Sequence, residues 1–143
     1  MHQNHQVKPS DPFTFSRSGI TVKNRSVLAA MTNKQSHEDG SLSDQEIRWL
    51  SRRAEGGFGI ITTAAANVSE YGKGWDGEFG LYDDRYIDRL IELVSSVHDN
   101  DCLIFAQLFH GGMRAPESLT GKIPISASKI PCKESSSGFT YSA

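Results

Sequence analysis

Three segments of this 143-residue chain each follow an apolar run; small residues dominate two of them, and single hydrogen-bonding side chains, Thr32 and Gln107, stand in the first and the third. They are residues 29–32 (Ala-Ala-Met-Thr), 64–67 (Ala-Ala-Ala-Asn) and 107–112 (Gln-Leu-Phe-His-Gly-Gly). Small side chains let a flat ring approach the backbone. The Thr32 hydroxyl can donate to a ring carbonyl, and the Gln107 amide offers a donor and an acceptor to the edge of a pyrimidine-like ring. These residue types therefore indicate a site for a planar ring with a polar edge.

A purely structural role fits the same residues. Alanines can pack the mouth of a barrel, and Gln107 can satisfy local backbone groups. Either interpretation requires the three segments to lie at one end of a common sheet, where ligands of parallel α/β proteins gather.

The apolar runs that precede these segments are short and uncharged, which is typical of strands buried on both faces. They cover residues 26–31, 59–65 and 103–108. Between them, Ser43 and Glu46 have the spacing of a capping box at the start of a first helix, which should end at residues 56–57. Asp83 or Asp84 can cap a second helix. Its apolar stripe is expected at Ile87, Leu90, Ile91, Val94 and Val97.

The order strand, helix, strand, helix, strand implies parallel strands with right-handed crossovers. This order fits both a closed eight-fold barrel and an open doubly wound sheet, and periodicity does not separate them. Phe13, Phe15, Ile20 and Val22 around the turn at Ser18-Gly19 predict an amino-terminal hairpin. We expect a mobile tail over residues 1–10, and no helix or strand after His110, so that residues 113–143 are mostly loop.

Composition and charge narrow the class of protein. A net charge of −2 and a pI near 6.2 argue against a nucleic-acid partner. No run approaches the roughly 18 apolar residues of a membrane span, and the start of the chain lacks the apolar core of a secretion signal, so we expect a cytoplasmic protein. Cys102 and Cys132 are expected to be free thiols. His2 and His5 are expected in the mobile tail, and no metal site is predicted.

The motifs also match a known family. Residues 22–32 (Val-Lys-Asn-Arg-Ser-Val-Leu-Ala-Ala-Met-Thr) resemble the opening motif of old yellow enzyme and its bacterial ene-reductase and dienoyl-CoA reductase relatives. Residues 59–66 resemble the family's next strand, and residues 107–112 its "QL-H-G" strand end. The resemblance covers most of residues 12–131. It implies a (β/α)8 TIM barrel that holds FMN, is reduced by NADH or NADPH, and is reoxidised by an activated alkene or another small-molecule acceptor.

The resemblance also assigns roles to individual residues. The flavin would be lined by the end of the first strand and contacted through the backbone of Ala65, with Gln107 on its pyrimidine edge. The lining residues would be Ala29, Ala30, Met31 and Thr32. The Thr32 hydroxyl would lie near the C4 carbonyl of the ring, where a donor stabilises the charge of the reduced flavin. Lys34 takes the place of a substrate-facing tyrosine in some relatives, so it is expected to face the substrate.

This sequence departs from the family pattern at Ala30, Lys34 and Met113, and in its length. Ala30 stands where the family usually has proline, Lys34 where some relatives carry tyrosine, and Met113 where arginine is common, with Arg114 one position later. The family's substrate histidines, its proton-donating tyrosine and its phosphate loops all lie downstream, so no catalytic residue is expected here, and His110 is expected to be positional. About three eighths of a barrel is predicted, with the first three βα units after the hairpin.

We therefore expect an FMN-dependent NAD(P)H oxidoreductase of the old yellow enzyme type that is truncated and incomplete alone. The alternative is a non-catalytic partial barrel that forms a homo-oligomer or complements a separate barrel fragment, because uncovered edges and apolar faces favour association.

Overall fold

The computed structural model describes residues 6–128. His2, His5, Cys132 and the greater part of the predicted carboxy-terminal loop lie outside these residues. The chain begins with the predicted hairpin, formed by the antiparallel strands β1 (Phe13–Thr14) and β2 (Thr21–Val22). Its turn places Gly19 at a φ of 72°, and the Thr14 and Thr21 hydroxyls lie 2.8 Å apart across the pair.

Four further strands form one sheet, and every pair in it is parallel. They are β3 (Val27–Leu28), β4 (Ile60–Asn67), β5 (Phe79–Gly80) and β6 (Leu103–Phe109). Strand β4 is central, and β6 pairs along the whole of one of its edges. The other edge is shared, since β3 pairs at Ile60 and Ile61 and β5 pairs at Ala66 and Asn67. The predicted parallel α/β arrangement is confirmed.

The first crossover is helix α1 (Asp44–Glu55), which begins and ends where the sequence predicts. The Ser43 side chain accepts the Glu46 N–H, and Gly56 closes the helix. Leu50 and Ala54 are fully buried, because the apolar side of this amphipathic helix faces the sheet.

The second crossover is helix α2 (Ile87–His98), preceded by a 3-10 turn at Asp84–Tyr86 that Asp83 caps. Its buried residues are Leu93 and Val97, whereas Ile87 is 46% and Ile91 58% exposed. The predicted stripe was therefore wrong at Ile87 and Ile91, whereas Leu90 packs against the core as predicted. The helix is rotated so that Leu93 faces the sheet, and this residue was not part of the predicted stripe.

The hydrophobic core lies between the two helices and one face of the sheet. Its buried members are Leu28, Leu42, Ile47, Leu50, Ala54, Ile61, Ala64, Ala66, Phe79, Leu93, Val97 and Cys102. Cys102 is a free thiol. The opposite face of the sheet is open: Val27 is 55% and Phe105 52% exposed. Because side chains alternate along a strand, each strand contributes to both faces.

The sequence patterns did not predict several short elements. Strand β3 is shorter than predicted, because β5 rather than β3 pairs with the far part of β4. The loop before β5 contains a 3-10 turn at Glu70–Gly72. After β6, a 3-10 turn at Gly112–Arg114 and the helix α3 (Glu117–Thr120) correct the expectation of no helix beyond His110. Elements of two to four residues are too short to show a period.

None of the helices described between residues 6 and 128 has the length and hydrophobicity of a transmembrane helix.

Candidate functional site

A β-bulge in β4 brings Ala65 level with Gln107 of β6. The two strands pair Thr62 with Phe105 and next pair Ala65 with Gln107, so that two residues of β4 oppose one residue of β6. The Thr63 hydroxyl accepts the Gln107 N–H at 3.2 Å and donates to the Ala64 carbonyl at 2.7 Å. The hydroxyl thus supplies an acceptor where the bulge interrupts the ladder. Thr63 gave no functional signal in the sequence, because it lies inside a β-branched run.

The Gln107 side chain lies on the open face of the sheet. Phe105 is on that face, and alternation places Gln107 and Phe109 there as well. Gln107 is exposed, and its amide makes no hydrogen bond within the described part of the chain. The alternative role, in which this amide satisfies local backbone, is therefore not the one observed. Opposite it, Ala65 is buried at 5% exposure.

The segment after β3 supplies a second group of predicted site residues. Ala29, Met31 and Thr32 are exposed and Ala30 is half-buried. Lys34 follows with an exposed side chain and a φ of 52°, a left-handed conformation that residues other than glycine rarely adopt. Such strain persists only where the surroundings hold it.

A buried acid of α1 holds this segment. Glu46 is fully buried; its Oε1 accepts from Asn33 Nδ2 at 3.0 Å, and its Oε2 accepts from the Ser36 hydroxyl. Burial raises the pKa of Glu46, and the two hydrogen bonds oppose that rise. The sequence suggested that Glu46 completes a capping box with Ser43. Only the Ser43 half is formed, because the carboxylate is used by Asn33 and Ser36.

The loop before β5 packs against the segment that follows β3 from another side. The Gly77 carbonyl oxygen accepts a hydrogen bond from the Ser36 N–H at 3.1 Å. A Cβ on Gly77 would lie 2.5 Å from the Lys34 carbonyl oxygen, and the φ of Gly77 is 77°. Glycine is required at this position by its conformation and by the close approach of the two loops.

Directly after Gly77, Glu78 is a second buried acid. It is 2% exposed, and its Oε2 accepts the Gly74 N–H at 2.6 Å. Its Oε1 has no hydrogen-bond partner among the described residues. Burial raises the pKa of Glu78 to about 7, against the opposing effects of the Gly74 N–H and of Lys73.

Register places Glu78 in one row with the two predicted cofactor residues. Phe79 pairs with Ala66, and both belong to the core on the helix side. When this register is continued by one residue before β5, Glu78 comes level with Ala65, and its side chain points away from the core side of Phe79. The resulting row contains Glu78, Ala65 of β4 and Gln107 of β6.

The rim of this site is formed by aromatic rings and by His110. The rings of Trp75 and Phe109 are 5.0 Å apart between centroids. A Cβ on Gly72 would lie 2.5 Å from His110 Cδ2, so the imidazole rests directly on that glycine. His110 Nδ1 accepts the Gly112 N–H at 2.9 Å, which fixes the ring by a local hydrogen bond.

Among the described residues, the structure thus brings together Ala65 and Gln107, and it holds residues 33–36 by contacts from two sides. The sequence patterns gave no functional signal for Thr63, Gly77 or Glu78. For Glu46 they suggested a capping box, whereas its carboxylate binds Asn33 and Ser36. No group of three or more His, Cys, Asp or Glu residues within 6–128 is arranged to hold a metal ion.

Comparison with known sequences places these features in a family. Residues 11–138 match the sequence model of the NADH:flavin oxidoreductase / NADH oxidase family. A probable NADH-dependent flavin oxidoreductase of Bacillus subtilis is 36% identical over 117 residues, which cover 81% of this chain and 31% of the relative. An NADPH dehydrogenase of Bacillus licheniformis is 30% identical over 142 residues, covering 90% of this chain and 42% of the relative.

Comparison with solved structures agrees. An old yellow enzyme homologue from Zymomonas mobilis superposes with a TM-score of 0.82 at 28% identity, over 96% of this chain and 37% of that chain. The fold is therefore part of a (β/α)8 barrel of the old yellow enzyme type, as the family resemblance implied. This chain spans less than half the length of each of these three proteins.

Proposed function

The chain belongs to the NADH:flavin oxidoreductase / NADH oxidase family, and from this premise we propose that its open sheet face is one wall of an FMN site in an NADH- or NADPH-dependent oxidoreductase. When bound, FMN would supply hydride transfer between a reduced nicotinamide and a small-molecule acceptor. The residues described here bind and orient the ring.

The observation that carries the proposal is the pairing of Ala65 with Gln107 on the open face. A small side chain lies directly beside an amide that has no partner within residues 6–128. This is the donor set that a pyrimidine-like edge requires, since the amide supplies a donor and an acceptor next to a surface on which a flat ring can lie. The residues therefore fit the flavin.

The end of β3 contributes the second part of the proposed wall. Ala29, Ala30 and Met31 would line the ring, and the exposed Thr32 hydroxyl would donate to its C4 carbonyl. A donor at that position stabilises the negative charge of the reduced ring and raises its reduction potential. Lys34 would face the acceptor, for which we propose an activated alkene.

Titration of FMN fluorescence with the purified chain tests this function. We expect quenching at micromolar protein, and weaker binding by the variants Thr32→Val and Gln107→Leu, which keep the approximate size of each side chain but remove its hydrogen bonds. The matched control is Thr21→Val, on strand β2 of the hairpin and outside the proposed wall. Absence of quenching by the unaltered chain would exclude FMN binding by this wall alone.

A second candidate is favoured by the exposed apolar side chains of the sheet. Val27, Phe105 and Leu108 are 55%, 52% and 68% exposed. Val27 and Phe105 lie on the open face and Leu108 on the helix side, and uncovered apolar side chains on either face of a sheet favour association. In this reading the chain forms a homo-oligomer, or pairs with a complementing barrel fragment, without catalysis of its own. Light scattering that finds a stable monomer, together with FMN binding, would decide for the first function.

A further inference from the structure

A buried carboxylate joins helix α1 to the loop that follows β3. Glu46 lies in the first turn of the helix, yet its two oxygens bind outside it, one to Asn33 Nδ2 and the other to the Ser36 hydroxyl. These two donors lie on either side of Lys34. The carboxylate therefore spans the base of the loop of residues 33–36.

The conformation held between these two bonds is a strained one. Lys34 has a φ of 52°, and its carbonyl oxygen is packed so closely against Gly77 that no side chain fits there. The Ser36 N–H is bonded to the Gly77 carbonyl. A left-handed residue that is not glycine is strained, and this conformation survives only when neighbouring contacts over-determine it. Glu46 on one side and Gly77 on the other provide those contacts.

From this geometry we infer that Glu46 is a positioning residue, which holds the loop of residues 33–36 so that Thr32 and Lys34 are presented at the mouth of the barrel. The inference rests on the proposed function, since it is the proposed flavin and acceptor that Thr32 and Lys34 would meet. Thr32 is bonded directly to Asn33. A shift of the loop therefore moves the Thr32 hydroxyl.

The chemistry of Glu46 favours positioning over packing. Burying a carboxylate is costly, and well-packed apolar side chains at such sites are often neutral or stabilising by comparison. A helix that needed only to pack would gain nothing from an acid here. The carboxylate of Glu46 has two acceptor oxygens, so this one side chain can bind the two separate loop donors, Asn33 and Ser36.

Three variants separate the two roles. Glu46→Ala removes both acceptors. Glu46→Gln keeps Oε1 for Asn33 and offers its amide N–H₂ to the Ser36 hydroxyl, which can accept as well as donate. The control is Leu50→Ala, in which a fully buried side chain of the same helix is shortened without touching the loop.

Two measurements are made on each variant. The first is amide hydrogen exchange at Gln35 and Ser36, whose N–H groups bond to Asn33 Oδ1 and to Gly77 O, compared with exchange at Ile61 in β4. The second is the dissociation constant for FMN from fluorescence quenching. We expect Glu46→Ala to speed exchange at Ser36 relative to Ile61 and to weaken FMN binding at least ~10-fold. Glu46→Gln and Leu50→Ala should each stay within about threefold of the unaltered chain in FMN binding.

Equal loss of FMN binding in Glu46→Ala and Leu50→Ala would overturn the inference, because the effect would then follow from stability alone. Unchanged relative exchange at Ser36 in Glu46→Ala would also overturn it. Should the unaltered chain fail to bind FMN, the proposed function fails, and with it the link from the loop to the flavin. The exchange data would then still decide whether Glu46 fixes the loop.

Discussion

Ala65 of β4 lies directly opposite Gln107 of β6, and they are partners because of the bulge beside Thr63. Without the extra residue in β4, the pairing that begins at Thr62 and Phe105 would place Ala64 opposite Gln107. Ala64 belongs to the core on the helix side. The bulge therefore determines that Ala65, and not Ala64, lies beside the amide on the open face, and it leaves the Ala64 side chain in the core.

The bulge itself can be tested through the Thr63 hydroxyl. Thr63→Val removes the acceptor of the Gln107 N–H and should lower the free energy of unfolding by roughly 1–2 kcal/mol, because a partly buried donor loses its partner. Thr63→Ser should retain most of the stability. Urea denaturation of both variants measures the difference, with Thr62→Val as the control one residue earlier. Equal stability of Thr63→Val and the unaltered chain would show that the hydroxyl does not support the bulge.

The close contact between Gly77 and the loop of residues 33–36 predicts that a side chain added at Gly77 lowers the stability of the fold. Gly77 and Gly19 have nearly equal φ angles of 77° and 72°, but a Cβ would meet the Lys34 carbonyl only at Gly77, and nothing within 4 Å at Gly19. Gly19→Ala should cost about 1 kcal/mol of unfolding free energy through backbone strain alone. Gly77→Ala should cost roughly 1–3 kcal/mol more, because the loops must separate. Similar losses for the two variants in urea denaturation would contradict the close contact.

Glu78 predicts a pH dependence of stability with a definite sign. Its pKa is about 7 in the folded protein and near 4.5 as an ordinary glutamic acid, so the folded state holds the proton more tightly. The stability that this group contributes is complete below pH 4.5. Between pH 4.5 and 7 it falls by up to about 1.4 kcal/mol for each unit of pH, and above pH 7 it levels off. Glu78→Gln removes this fall. The unfolding free energy of the variant relative to the unaltered chain should rise between pH 4.5 and 7, and a constant difference across that range would contradict a buried, protonated Glu78.

The strands and helices were predictable from the sequence because their signals are local. The runs that became β4 and β6 are uncharged, and Ser43 caps α1 as its spacing predicts. The apolar stripe of α2 was misplaced for a physical reason: Ile91 and Leu93 are similar in hydrophobicity, and packing against the sheet decides which of them is buried.

The supporting contacts of the site were not predictable, because they join residues far apart in the chain. Glu46 carries a local signal that fits a helix cap, and only the fold reveals that its carboxylate binds Asn33 and Ser36. Glu78 comes level with Ala65 through the pairing of β5 with β4, and β5 has only two residues. Sequence patterns identify candidate contacts to a ring, but not the groups that hold those contacts in place.

The central claim, that the ends of β3, β4 and β6 form a flavin-binding wall, is tested most directly by mapping backbone amide NMR shifts during titration with FMN. We expect the largest changes at Thr32, Ala65 and Gln107, and little change at Val22 and Cys102 near the opposite end of the sheet. Shifts concentrated at that opposite end, or none at the three named residues while FMN is bound, would contradict the account.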